Sequence, residues 1–400
     1  MSRRGQLDVV VAGGGVVGAA AALVLAREGL QVALVEARRP APWRRDDPDL
    51  RVYAFAPDNA ALLDGLDAWT PVLAARAQPY RGMRVWDAGG GDPLVFDADA
   101  LGQRQLGWIV ENGLLVDVLW QRLAAAGVRL HCPARIASLQ QDEGGVRVGL
   151  DDGSTLEARL AIAADGGASA LREMAGIAAP RHAYGQQGVV AFVASEHAHQ
   201  ATCWQRFLPT GPVAFLPFAT DDGDPRAGHL GSIVWTLPDA EATRLIDAAP
   251  EVFERALAQA FGGELGGFAL QSPRVGFPLL RQLADDYVAG RVLLLGDAAH
   301  RVHPLAGQGV NLGLRDVAAL QALVRQARAN ARDWTSPARL ARWARTRKSE
   351  NAVNAHAFEA INRAYSNDAL LPTLLRGHAL SIAGKLPPLA RALWRHAAGV

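Results

Sequence analysis

Gly13, Gly15 and Gly18 stand at G-x-G-x-x-G spacing directly after the β-branched run Val9 to Ala12, and they open an Ala/Leu-rich stretch that reaches about Arg27. Each glycine has a separate task in such a turn. Gly13 permits the tight turn, Gly15 lets backbone N–H groups approach a pyrophosphate at a helix N-terminus, and Gly18 lets helix and strand pack closely. Glu36 follows 18 residues after Gly18, at the end of a second apolar run, Gln31 to Glu36. A carboxylate at that place accepts hydrogen bonds from both ribose hydroxyls and disfavours a 2′-phosphate, so the expected dinucleotide is FAD or NAD rather than NADP.

A second constellation decides between those two. Gly296-Asp297 closes the apolar run that starts at Arg291, and the segment His300 to Gly313, with Pro304, Gly307, Gln308, Gly309 and Asn311, then enters a helix. Asp297 could accept a hydrogen bond from a polyol chain. N–H groups around Gly309 would point at an acceptor that gains negative charge, and the N1–C2=O edge of a reduced flavin is such an acceptor. A nicotinamide dehydrogenase has no use for a second loop of this kind, so the pattern favours FAD. His300 and His303 are three apart near an Asp, but no third ligand joins them at helical spacing, and no metal is expected. Ser154 and Ser169 lie in no G-x-S-x-G elbow, so no hydrolase triad is expected either.

The elements that must position these groups follow from periodicity. The N-terminal stretch makes a βαβ unit, and Arg291 to Asp297 makes another buried strand. Alternating stretches such as Val146 to Leu150 and Val189 to Val193 are separated by Asp-Gly turns, and from Val317 onward the pattern is mainly helical, with breaks at Pro372 and at Pro387-Pro388. Val9 to Ala26 is 18 residues without a charge, but three consecutive glycines suit a strand, turn and helix better than a membrane span or signal peptide.

At 400 residues and 50% hydrophobic content the chain can bury the cores of two domains. A net charge of +1, and no basic run with interleaved aromatics in the first three quarters, argue against a nucleic-acid partner. Cys132 and Cys203 form no C-x-x-C pair, and a reduced, cytoplasmic setting is expected. Charge is uneven: residues 321–400 hold 13 Lys/Arg against 4 Asp/Glu. Arg342, Arg345, Arg347 and Lys348 are therefore expected on an exposed helical face that contacts anionic lipid or an acidic partner, peripheral at the inner face of the cytoplasmic membrane.

The segment Gly296 to Asp316 resembles the signature of the group A flavoprotein monooxygenases, in particular the ubiquinone-biosynthesis hydroxylases. Leu106 to Asn112, Ala164 to Gly166 and Gln205 to Pro217 are similar to further stretches of that family, while Tyr80 to Asp87 and the tail from Trp343 to Leu386 look most like its polyprenylphenol C5-hydroxylase branch. The likeness covers almost the whole chain. It implies an α/β fold, α+β overall: a Rossmann-type FAD-binding domain over 1–78, 105–180 and 287–330, an inserted mixed β-sheet substrate domain over 79–104 and 181–286, and a C-terminal helical region over 331–400.

The resemblance also implies roles. Glu36 would bind the adenosine ribose and Asp297 the ribityl chain; Arg51 and Asn112 would line the flavin; Asp165-Gly166 would lie near the pyrophosphate and the nicotinamide approach. Gly296, Gly309 and Asn311 belong to the same cofactor set, and Pro304, Gly307 and Gln308 form the flavin-facing loop. NADPH or NADH is then a transient co-substrate, and O2 supplies the oxygen placed on a hydrophobic phenol or polyprenylphenol, whose ring is activated by its own hydroxyl. The enzyme's part is placement and dryness. Trp204, Phe207, Phe215 and Phe218 are expected on the strand pair over the flavin ring, and Phe215, Leu216 and Pro217, with Pro304 to Ala306, are expected to enclose the substrate. Two rivals share the cofactor: a FAD-dependent reductase or dehydrogenase, and a flavin-bearing subunit that organises a biosynthetic complex.

Overall fold

The computed structural model describes residues 7–302, 308–365 and 394–395, the side chains of Gln308 and of 357–365 excepted. His303, Pro304, Leu305, Ala306, Gly307, the side chain of Gln308 and the expected breaks at Pro372, Pro387 and Pro388 lie outside the described residues.

Val9, Val10 and Val11 are completely buried, as a strand covered on both faces requires. Strand Leu7–Ala12 has parallel neighbours on both sides, Val32–Val35 and Thr155–Ala163, and the parallel set continues to Arg129–His131 at one edge and Val292–Leu294 at the other. One row of register partners, Val35, Ala12, Ala163 and Leu294, ends the set. Gly13, Glu36, Asp165 and Gly296-Asp297 follow that row within three residues, so four separated segments deliver their chemistry to a single edge of the sheet. Ligands of open parallel sheets bind outside the carboxyl ends of the strands for this reason.

Helix Val16–Arg27 is apolar on nearly every side because it is covered on every side, with Val16 and Gly18 to Leu25 all buried between the sheet and the helices Asn112–Leu123 and Gln308–Ala329. Its approach to the first strand leaves no room for a side chain. A Cβ on Gly18 would lie 2.0 Å from the Gly13 carbonyl oxygen, and one on Gly13, whose φ is +97°, would lie 2.4 Å from the Ala164 oxygen.

The second sheet runs in the order His300–Arg301, Val275–Leu283, Arg181–Ser195, Leu230–Pro238, Gly211–Pro217, Thr202–Leu208, Gly82–Asp87, Leu94–Asp97. It is mixed, since Thr202–Leu208 pairs parallel with Gly82–Asp87 and the other strands of this path pair antiparallel. Helices Asp239–Asp247 and Pro250–Phe261 cover one of its faces, where Val189, Phe215, Ile233 and Trp235 pack with Leu245, Phe253 and Phe261. The expected strand Val189 to Val193 lies in the second half of a 15-residue strand, Arg181–Ser195, whose exposed first residues and register shift between Ala183 and Gln187 conceal its full length; Gly188 to Val193 are all buried rather than alternating. A three-stranded sheet, Val52–Phe55, Gly107–Glu111 and Gln78–Tyr80, pairs with neither, and its Val52, Ala54 and Ile109 pack with Phe192 and Leu216 of the second sheet.

As far as Tyr365 the C-terminal part is helical as expected, with Gln308–Ala329 followed by Pro337–Tyr365. One expectation about it fails. Arg342, Arg345 and Lys348 are exposed, but Arg347 is buried, because its guanidinium points inward to a buried carboxylate, Asp316, with Nε 2.8 Å from Oδ1.

The tight crossing at Gly18 makes a prediction. Gly18→Ala should lower stability by about 1–3 kcal/mol, the usual cost of overpacking, whereas Gly15→Ala, whose Cβ meets nothing within 4 Å, should cost little. Urea unfolding followed by circular dichroism checks the contrast; equal midpoints for the two variants would contradict the packing assigned to Gly18.

Candidate functional site

The four segments at the sheet edge open on one cavity of about 1040 Å3, at the upper limit of the ~300–1,000 Å3 usual for ligand sites. Its first end is built by the glycine turn. The Gly14 N–H donates to Glu36 Oε2 at 2.6 Å, while Trp120 Nε1 donates to the Gly14 carbonyl at 2.7 Å, so both backbone groups of Gly14 are held. Gly15 faces open space and no side chain caps the helix that begins at Val16, nor is there an acid in its first turn. Free N–H donors and the positive end of the helix dipole are thus left for an anionic ligand. Glu36 lines the same end beside Ala134 and Arg135.

The middle of the cavity is polar and strongly braced. Asp49 accepts from the N–H groups of Arg51 (2.9 Å) and Gly113 (3.0 Å) and from Asn112 Nδ2 (3.3 Å), and its own N–H donates to the buried Glu111 at 2.8 Å. Burial pushes the Glu111 carboxyl upward, against the pull of the Asp49 N–H and of Arg76, 3.3 Å away. Tyr53 is buried, which pushes its phenol up to about 12, and it donates as a neutral hydroxyl to Asn112 Oδ1 at 3.1 Å. The Arg51 guanidinium lies over the Tyr53 ring, 5.5 Å from its centroid. Asp297, Gly309 and Val310 line the same cavity. Asp165 Oδ2 accepts weakly from Leu171 N–H at 3.3 Å, and its buried Oδ1 has no partner among the described residues.

These features fit FAD. An uncapped helix N-terminus suits a pyrophosphate, Glu36 a ribose, and the free oxygen of Asp165 and the carboxylate of Asp297 suit hydroxyl or N–H donors. Of the glycines that line the cavity, Gly15, Gly166 and Gly309 are those where a Cβ would meet nothing within 4 Å.

The far end of the cavity is the face of the second sheet turned away from helices Asp239–Asp247 and Pro250–Phe261. Gln205, Ala214, Val234, Val190 and Val275 are register partners across five strands, and all line the cavity. Pro212, Thr236 and Phe277 flank that row, with Leu216 on its other side. Gln205 and Thr236 are the polar side chains of this wall among the described residues. Small aliphatic groups in the central row leave the space that a flat ring needs.

The residues expected from sequence are therefore distributed unevenly. Gly13, Gly15, Glu36, Arg51, Asn112, Asp165, Asp297 and Gly309 come together around the cavity, and Leu216 joins them. Gly18 and Gly296 support the walls through close packing, Gly296 at φ +57° against Val17. Phe215 does not line the cavity. Neighbouring side chains on a strand point to opposite faces, so with Leu216 on the cavity side Phe215 packs under the helices, in the same cluster as Trp204. Pro217 is buried but is not part of the lining, Phe207 packs on Val85 and Leu94, and Phe218 packs on Phe192. Asn311 is also placed otherwise: its amide donates to the Ala54 carbonyl at 2.8 Å and accepts from Ala56 N–H at 3.0 Å and Asn59 Nδ2 at 2.9 Å, which ties the helix start to the strand carrying Tyr53. Tyr53, Gln205, Thr236 and Arg301 are site residues that sequence reasoning missed. The available signal for Gln205 was its place at the start of the family-like stretch Gln205 to Pro217.

Comparison with known proteins agrees with this geometry. Residues 6–352 match the family described as FAD binding domain. The chain is 36% identical to ubiquinone hydroxylase UbiL of Rhodospirillum rubrum, over 98% of this chain and 89% of that protein, and 34% identical to the 3-demethoxyubiquinol 3-hydroxylase of Escherichia coli, over 98% of each. Its fold matches the crystal structure of p-nitrophenol 4-monooxygenase PnpA from Pseudomonas putida, with a TM-score of 0.77 at 19% identity over 97% of this chain and 96% of that one. The chain belongs to the FAD-binding-domain family of flavin-dependent monooxygenases, the one that includes the ubiquinone-biosynthesis hydroxylases.

Proposed function

We propose that this monooxygenase hydroxylates the ring of a polyprenylphenol in ubiquinone biosynthesis, using NADPH or NADH and O2. One observation carries the reading: a single cavity runs from a dinucleotide-binding end to an apolar wall whose polar groups, among the described residues, are an amide and a hydroxyl. That wall suits a ring already activated by its own hydroxyl and needs no side-chain nucleophile. The two relatives above are ubiquinone hydroxylases by name, which supports the substrate class. In this reading segments 1–78, 105–180 and 287–330 hold FAD, and 79–104 with 181–286 receive the substrate. The ring carbon is C5, on the likeness of Tyr80 to Asp87, with C6 and C1 as the alternatives that complementation of strains lacking each ring hydroxylase would distinguish.

When bound, FAD supplies the activation of O2 for transfer to an electron-rich ring. The chain's own residues do the rest. Glu36 and the glycine turn hold the dinucleotide, Arg51, Asn112 and Asp297 surround its far part, and Val190, Ala214, Leu216 and Val234 keep water from the reacting ring. Val275 and Phe277, 46% and 36% exposed, give the cavity an apolar mouth through which a prenyl chain can leave. No helix of the described residues is long and apolar enough to cross a membrane. The exposed cations Arg342, Arg345 and Lys348 are the surface we assign to anionic lipid at the inner face of the cytoplasmic membrane.

Three outcomes are expected. Product formed under 18O2 should carry one labelled oxygen on the ring, and none should form under argon; turnover without O2 would favour a reductase. Ala214→Phe, which fills the wall, should reduce kcat/KM for the phenol at least tenfold while FAD content stays unchanged; unchanged kcat/KM would move the substrate elsewhere. Neutralising Arg342, Arg345 and Lys348 together should abolish salt-sensitive flotation with anionic liposomes, and wild-type protein that does not float at low salt would rule out the lipid assignment.

A further inference from the structure

Arg347 belongs to a buried group of side chains that the reaction does not use directly. Asp316, fully buried, accepts from two directions. Its Oδ2 takes the Gly296 N–H at 3.1 Å and His300 Nε2 at 2.7 Å, both in the turn that carries Asp297. Its Oδ1 takes Arg347 Nε at 2.8 Å and Asn351 Nδ2 at 3.0 Å, both from helix Pro337–Tyr365. Tyr287 stacks on His300, with centroids 6.0 Å apart, and its hydroxyl lies 3.5 Å from Asn351 Nδ2.

We infer that Arg347 and Asn351 are positioning residues which set the affinity for FAD, acting from the C-terminal helix through Asp316 on the Gly296-Asp297 turn. The argument is one of charge. A buried carboxylate that loses its cation must draw in water or turn toward other donors, and either response withdraws Oδ2 from Gly296 and His300. Gly296 sits at φ +57°, and a glycine has no side-chain preference to hold the turn once its N–H loses Asp316. Asp316 also lies two helical turns after Gly309, so the same movement reaches a second cavity-lining segment, Gly309-Val310. The inference rests on FAD binding alone and is independent of which phenol is oxidised.

Apoprotein of each variant would be titrated with FAD, following flavin fluorescence at equilibrium and the visible spectrum of the bound flavin, with apoprotein melting measured in parallel. Arg347→Met should weaken FAD binding at least tenfold and shift the bound spectrum, Arg347→Lys should recover part of the loss, and Ser349→Ala, on the exposed face of the same helix, should change neither. Asn351→Ala, a milder change, should weaken binding about threefold or more and serves if Arg347→Met does not fold. Wild-type FAD affinity in folded Arg347→Met or in Asn351→Ala would overturn the inference, and so would a lower apoprotein melting temperature with affinity unchanged.

Discussion

Everything at the site depends on how closely the first helix crosses the first strand. The contact between Gly18 and the Gly13 carbonyl admits no β-carbon, and that closeness sets the helix N-terminus over the strand ends instead of beside them. Glu36 and Trp120 then fix both backbone groups of Gly14. A wider crossing would leave the carboxylate without its N–H partner and would direct the helix dipole away from the cavity. The parallel register supplies the other half of the constraint, because Val35, Ala12, Ala163 and Leu294 end level with one another.

Buried carboxylates do a second kind of work, holding irregular backbone where secondary structure cannot. Glu111 and Asp49 organise the segment that carries Arg51, and Asp316 organises the turn that carries Asp297. For Asp316, burial is the largest influence and acts upward, yet His300 and Arg347 together hold its carboxyl below the ordinary range. Such groups are costly to break, since removing one partner strands the other in a low-dielectric interior at about 3–5 kcal/mol. The polar side of the cavity is rigid for this reason. Its apolar side gets its shape from alternation, with large rings turned under the helices and small residues turned toward the ligand space.

The same division separates what could be read in the sequence from what could not. Gly13, Gly15, Gly18 and Glu36 are legible because backbone geometry demands those residue types at those intervals, and the βαβ unit follows from periodicity. Phe215 misled because size suggests a pocket residue, whereas the wall needs small groups and only the three-dimensional register shows which face meets the cavity. Arg347 misled because counting charges along a helix does not show a carboxylate 31 positions away. Asn311 sits where the motif places a cofactor residue, but its partners Ala54, Ala56 and Asn59 come from more than 250 positions earlier. Long-range polar pairing leaves no local pattern.

The central claim is that one dinucleotide lies along this cavity with its adenosine end at Glu36 and the glycine turn. Purified protein, denatured to release whatever it binds and assayed by absorbance and mass, tests it most directly. Equimolar FAD, lost on Glu36→Arg substitution while the fold persists by circular dichroism, is the predicted result. Folded wild-type protein that is colourless and takes up no added FAD would contradict the account.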